Sequence, residues 1–524
     1  MRIHFSLHDI SYRKAFFLLF VSGFIVRLIP EVLTYPYPIG ADIFHYAERM
    51  SSGVVWYHWS QVFSTRWLFY AMLILLYKIM SVDPFLLLKL VAPTLYALNV
   101  CGVYYFARKT LNWETKKALT AAFFFMFQLA SLRISWDHYR NMFGLAILLF
   151  TLPSIRNMEK RRDLVSFVLL SMLVVFAHEF PSVIMFTVIL IAVMSDFLKG
   201  KRVRALKVLA TTSPALAMFL TSVYLMIFPI PFHMETNVIV AHDVLVPKPG
   251  GLFFLIDYLN VVHPDNYYLT YLSLVSDVLS RFGLLYLLCL PFVFVGFLRD
   301  RILNGWTLLT LVGTFDSLIT PFCALDFWNR WILMLVYPFT FYTVNGIHKV
   351  SESNRRWLGW MKVSKRTMFG ILLLMVVLQP PISLVTKYYN VVQPFSQSGA
   401  SRIMKLHSTL PLQDVEGTIQ VIGWLNSHMR EGSCVLVHEY FFRWASLRLD
   451  KRYTIIRYFR DVEGALTLAL EHHFDPIYLI WWNENVEWSY GTKSYFDITV
   501  PKHFETVFSS GRVSVFEYHS SFHA

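Results

Sequence analysis

Cysteine is scarce, with four residues in 524. Cys101, Cys289 and Cys323 lie in apolar runs and Cys434 stands alone further on. They form neither metal-ligand spacing nor a disulfide framework, which removes a cysteine-held zinc site and a disulfide-stapled scaffold from consideration. Charge is scarce too. Only 15% of residues are charged against 56% hydrophobic and 17% aromatic, which excludes an ordinary soluble domain. The first apolar run, "AFFLLFVSGFIVRLIP", lacks a small-residue cleavage site after it, so it is expected to stay as a first helix. Internal repeats and low-complexity tracts are also lacking. What the chain has instead is a succession of long apolar runs over its first 390 residues, the signature of a polytopic helical membrane protein.

The net charge of +13 sits in short basic blocks between those runs: "ARKTLNWETKK", "RNMEKRRD", "KGKRVRALK", "LRDR" and "HKVSESNRRWLGWMKVSKR". Such blocks are topology signals and contacts for anionic membrane lipids rather than a nucleic-acid surface. Placing them in the cytoplasm predicts eleven crossings near 14–33, 84–107, 116–132, 139–153, 164–178, 182–198, 206–229, 282–298, 303–323, 330–347 and 367–386, with the C-terminus outside. The segment 66–80, "RWLFYAMLILLYKIM", is short for a span and reads as an interfacial or re-entrant outer helix. After Lys387 helix and strand patterns alternate, ending in "FETVFSSGRVSVFEY", a hairpin at a sheet edge. The expected fold is therefore an α-helical membrane region, residues 1–390, with outer juxtamembrane helices, followed by an extracytoplasmic α/β domain, residues 391–524.

That threading gathers ionisable residues at the outer ends of the helices. Asp42, His45, Glu48 and Arg49 follow the first run; Asp137, His138 and Arg140 lie in "SWDHYRN"; His178 and Glu179 in "AHEFP"; Asp326 and Arg330 in "LDFWNRW". Charges near a bilayer are costly unless they face water or one another, so their convergence marks a candidate site. Each has a plainer reading. Asp42 fits a helix N-cap with His45 three residues on, Arg330 fits an interfacial anchor between Trp328 and Trp331, and His178 fits a packed residue at a helix end.

Taken together, these features resemble the GT-C superfamily of membrane glycosyltransferases, which use polyprenyl-phosphate-linked sugars. The resemblance rests on the early acidic residue Asp42, the juxtamembrane helix 66–80, the polar pair Asp137–His138, the helix opening "RWILMLVYP" at Arg330, and the α/β tail. It departs from the oligosaccharyltransferase branch, whose second motif is an acidic pair and whose Trp-Trp-Asp motif opens the soluble domain. Here the pair is Asp-His, and "IWWNENVEWSYG" lies late. A single-sugar transferase is the better-fitting branch.

The resemblance implies transfer from a dolichyl- or undecaprenyl-phosphate sugar to a glycan, protein or lipid acceptor, by inverting displacement with Asp42 as general base. It implies that Arg330, Arg140 and His178 hold the phosphate and that His45 and Glu179 bind substrate. Asp137, His138 and Glu48 would bind Mg or Mn or orient sugar hydroxyls. Loop 230–281, with His233, Glu235, His242 and Asp243, would cover the site. The rival readings are a transporter or flippase of lipid-linked sugars, whose coupling groups lie at mid-membrane, and a polysaccharide polymerase or ligase.

Overall fold

The structure is a computed structural model. It describes residues 11–37, 40, 42–156, 158, 161–228, 230, 237–241, 271–318, 328–352, 410, 412–458, 461–483 and 500–519. Asp326, the span 367–386 and most of loop 230–281, including its four named ionisable residues, lie outside the described residues.

The helical region runs α1 (Tyr12–Leu33), α2 (Ile43–Ser52), α3 (Trp67–Met80), α4 (Pro84–Lys109), α5 (Thr115–Phe127), α6 (Leu129–Asp137), α7 (Tyr139–Thr151), α8 (Arg161–Ala177), α9 (Glu179–Leu198) and α10 (Arg202–Ile227). It continues with α11 (Tyr271–Tyr286), α12 (Leu290–Val295), α13 (Arg301–Phe315), α14 (Trp328–Met334) and α15 (Val336–Glu352). Among the described residues α1, α4, α9 and α10 are each long and apolar enough to cross a membrane. Helix α3, at 14 residues, reaches about 21 Å, well short of a hydrocarbon core of about 30 Å.

Helix α4 is the hub, packed against α1, α5 and α7. Asp83 caps its start by accepting from the amides of Phe85 and Leu86. Its middle carries a buried polar tie: Asn99 donates to the Met142 carbonyl of α7 at 2.9 Å and accepts from the Tyr337 hydroxyl of α15 at 2.8 Å. Gly102 lets α7 approach, since a Cβ there would lie 2.8 Å from Leu149.

Some expected spans are broken. The run 116–132 bends by 58° between α5 and α6, where Gln128 adopts an extended backbone. A break in an apolar run frees backbone groups that hydrocarbon cannot satisfy, so side chains must do it. The Ser131 hydroxyl reaches the Phe125 and Gln128 carbonyls, Tyr96 donates to the Met126 carbonyl, and the Gln128 amide is held by Thr340 at 2.6 Å. The runs 282–298 and 330–347 are likewise interrupted, at 287–289 and at Leu335.

The C-terminal elements are α16 (Leu412–His428), β2 (Cys434–His438), α17 (Glu439–Arg448), β3 (Thr454–Tyr458), α18 (Val462–Glu471), β4 (Ile477–Trp482), β5 (Phe504–Ser510) and β6 (Val513–Tyr518). A further strand, β1 (Val238–Val240), comes from within residues 230–281 and pairs in parallel with β3. The order is β1-β3-β2-β4-β6-β5, parallel through β4 and antiparallel at the β5–β6 hairpin. Strands β2 and β4 are wholly buried, as expected of central strands covered on both faces. This unit contacts the helical region at α2. Trp444 of α17 meets Phe44 edge-on with centroids 4.5 Å apart, and Tyr37 donates to Glu416 at 2.7 Å.

Candidate active site

Helix α2 carries the first polar motif. Its apolar face, Ile43, Phe44, Tyr46, Ala47 and Met50, is buried, which leaves His45, Glu48 and Arg49 on the other side. Asp42 occupies the N-cap position, but its backbone is in the right-handed helical region and its side chain makes no capping hydrogen bond. Its carbonyl accepts from the Tyr46 amide at 3.2 Å. Side-chain capping is therefore not what the carboxylate does. It lies close enough to act electrostatically on Tyr46, Tyr70 and Arg140.

Beside α2 is a cavity of about 310 Å³ whose lining includes His45, Arg49, Arg66, Tyr70 and Arg140, with Ser222, Leu225 and Met226 of α10 on the opposite wall. The three guanidiniums are placed differently. Arg66 is paired with Glu179, Nη2 to Oε1 at 2.8 Å and Nε to Oε2 at 3.2 Å, and the Thr65 hydroxyl donates to the same carboxylate at 3.3 Å. Arg49 lies over Tyr57 and Tyr70 at 3.9 and 5.2 Å from the ring centroids, and Arg140 lies over Tyr70 at 5.5 Å. Nε and Nη1 of Arg49 and Nε of Arg140 are buried with no hydrogen-bond partner among the described residues. Buried donors of a cation are costly to leave unmade, and an anion entering the cavity would satisfy them.

His45 meets Tyr70 edge-on at 5.7 Å and stands 4.0 Å from Glu48. Burial first, then the nearby Arg140, Arg49, Arg443 and Arg66, pull its imidazole far below the ordinary value, to about 3. It is a neutral group in a cationic surround. Burial also raises the Tyr46 and Tyr70 hydroxyls, so both stay protonated.

Of the residues singled out in sequence, His45, Arg49 and Arg140 line the cavity; Asp42 acts electrostatically on Arg140 beside it. Glu179 is spent on Arg66. His178 is the N-cap of α9, with Nδ1 accepting from the Phe180 amide at 3.3 Å and standing 3.4 Å from Glu179. It caps the following helix, whereas the plainer sequence reading made it a packed residue ending the preceding one. Arg330 lies 5.9 Å from the Phe180 ring centroid and acts with Arg140 on His138 and His178, but is not among the residues lining the cavity. For Mg or Mn, no group of three His, Cys, Asp or Glu side chains capable of holding a metal occurs among the described residues. The Asp137 side chain is not among them.

Sequence reasoning missed Arg66 and Tyr70. The signal was present: "RWLFY" at Arg66 repeats the arginine-tryptophan helix opening of "RWILM" at Arg330.

No family model and no curated protein matches the sequence. Among solved structures, the chain is similar to the archaeal oligosaccharyltransferase AglB from Archaeoglobus fulgidus, in complex with an inhibitory peptide and a dolichol-phosphate. The identity is 11% and the TM-score 0.52, over 90% of this chain and 70% of that one. The chain shares the fold of that protein. Two structures of ArnT from Cupriavidus metallidurans, one bound to undecaprenyl phosphate and one apo, are similar at 11% identity, with TM-scores of 0.47 and 0.49 over 98% of this chain and 99% of that one. The GT-C resemblance read from the sequence thus holds at the level of fold.

Proposed function

We propose that the protein is a membrane glycosyltransferase that moves a sugar from a polyprenyl-phosphate donor to a glycan, protein or lipid acceptor on the outer face of the membrane. The observation that carries this reading is the cavity in which Arg49, Arg66 and Arg140 face the apolar end of α10. Guanidiniums with unmet donors suit a phosphate. The exposed Leu220, Tyr224, Met226, Ile227 and Phe228 at the outer end of α10 suit the first isoprene units. The GT-C fold supports it, as does the dolichol-phosphate carried by the structurally similar AglB. Eleven crossings, with the site and the C-terminus extracytoplasmic, belong to the same proposal.

In the proposed reaction Asp42 takes the proton of the acceptor hydroxyl as that oxygen attacks the anomeric carbon. The bond from that carbon to the phosphate oxygen breaks, and its electron pair stays on the phosphate, which gains one negative charge. Arg49, Arg66 and Arg140 stabilise that charge. Arg66 is held for this task by Glu179, and neutral His45 is free to hydrogen-bond the phosphate or the sugar. Mg or Mn near Asp137, His138 and Glu48 remains part of the proposal as a cation to be assayed.

In proteoliposomes with a polyprenyl-phosphate sugar, Asp42→Asn is expected to fold and to bind the lipid but to lose transfer by three orders of magnitude or more. Turnover near that of the unmodified protein would overturn the assignment of the base.

A further inference from the structure

Deep in the helical region lies a second charged cluster that the proposed reaction does not use. Arg27 and Glu31 of α1 and Lys89 of α4 are 0%, 2% and 5% exposed. Arg27 Nη2 pairs with Glu31 Oε1 at 2.7 Å, and Lys89 Nζ pairs with Glu31 Oε2 at 3.1 Å. Lys89 also donates to the Glu31 carbonyl at 2.9 Å and to the Thr34 hydroxyl at 3.2 Å, which fixes the last turn and cap of α1. On its other side Arg27 donates through Nε to the Ser135 hydroxyl at 2.7 Å and through Nη2 to the Ser135 carbonyl at 3.1 Å, with Trp136 5.4 Å away across its plane.

These contacts join two particular places. One is the end of α1 from which the chain turns toward Asp42. The other is the end of α6, two and three residues before Asp137 and His138. Helix α6 has nine residues, too few to hold its own position, and it begins at the bend after α5. Its placement therefore depends on side-chain ties, and Arg27 supplies a forked one that a single ammonium cannot copy. A buried ion network gains little stability over apolar side chains of the same volume. What it does fix is register.

We propose that Arg27, Glu31 and Lys89 are positioning residues, which set the end of α6 bearing Asp137 and His138 against the end of α1 leading to Asp42. The inference rests on the glycosyltransferase reading only for its effect on rate; the positioning itself does not.

The test compares Arg27→Lys and the triple variant Arg27→Met/Glu31→Met/Lys89→Met with the unmodified protein in three measurements: thermal unfolding, amide hydrogen exchange over residues 132–140, and transfer kinetics. The expected result is an unfolding temperature kept by the triple variant, exchange over 132–140 at least tenfold faster in both variants with α9 unchanged, and kcat at least tenfold lower with KM within about twofold. A triple variant with undiminished kcat would overturn the proposal. So would unchanged exchange over 132–140, or a loss of rate that merely follows a general loss of folded protein. If the unmodified protein shows no transfer, the glycosyltransferase reading falls, and the exchange measurement alone decides the positioning.

Discussion

Two charged clusters in this protein are built in opposite ways. Around Arg27, Glu31 and Lys89 the carboxylate is shared by both cations, and the remaining contacts go to Ser135, Thr34 and a backbone carbonyl. Around Arg49, Arg66 and Arg140, Glu179 serves Arg66, Asp42 acts on Arg140, and all three guanidiniums line a cavity of about 310 Å³. The closed cluster holds helices to one another. The open one is shaped for a ligand that brings its own negative charge. Removing a charge should therefore cost more in the closed cluster than in the open one.

The largest effect is expected in the closed cluster. Glu31→Gln leaves Arg27 and Lys89 buried without their counter-charge, and breaking such an arrangement costs about 3–5 kcal/mol. Thermal unfolding in detergent should show a clear drop, and an unchanged midpoint would mean that the cluster is already solvated. In the open cluster the cost is smaller: Arg140→Gln removes a guanidinium that Asp42 and Glu179 favour, but Glu179 keeps Arg66 as its partner, so the unfolding midpoint should fall only slightly. A fall comparable to that of Glu31→Gln would erase the distinction between the two clusters.

A third effect is set by pH. The folded value of His45 is depressed, so between about 6.5, the ordinary histidine value, and its folded value of about 3 the unfolded chain binds the extra proton. His45 therefore contributes its full stability above about 6.5 and loses it as pH falls through that window. His45→Gln should flatten the acid side of the stability profile; an unaltered profile would show that the ring is not enclosed by cations. The smallest effect concerns divalent ions. Chelation should leave phosphate binding within about twofold, because guanidiniums supply the positive charge of the cavity, and a loss of binding on adding EDTA would place a metal there.

Much of the helical region was legible because long apolar runs leave few alternatives to a helix. The strands from Cys434 onward were legible from short buried runs such as "CVLVH" and "IYLIWW". The bend at Gln128 was not, since what makes it tolerable is Thr340, more than two hundred residues away, together with Tyr96 and Ser131. Strand β1 was equally hidden. Three residues in a long loop carry no periodicity, and their partner is β3.

The candidate site was legible in part. His45 and Arg140 stood out as charges at helix ends, whereas Arg66 passed as part of an interfacial or re-entrant helix, because its partner, Glu179, is 113 residues away. Arg27 and Glu31 were the most readable of the missed residues. Two opposite charges four apart inside an apolar run are an expensive pattern that calls for a buried partner, and Lys89 is that partner.

The central claim is that the arginine cavity holds the lipid phosphate. Its most direct test is equilibrium binding of a short-chain polyprenyl phosphate, in detergent, to the unmodified protein and to Arg49→Gln/Arg140→Gln. Each lost charge-assisted contact is worth about 1.5–3 kcal/mol, so the account predicts affinity at least about a hundredfold weaker in a variant that unfolds at nearly the same temperature. Equal affinity in the two proteins would contradict it.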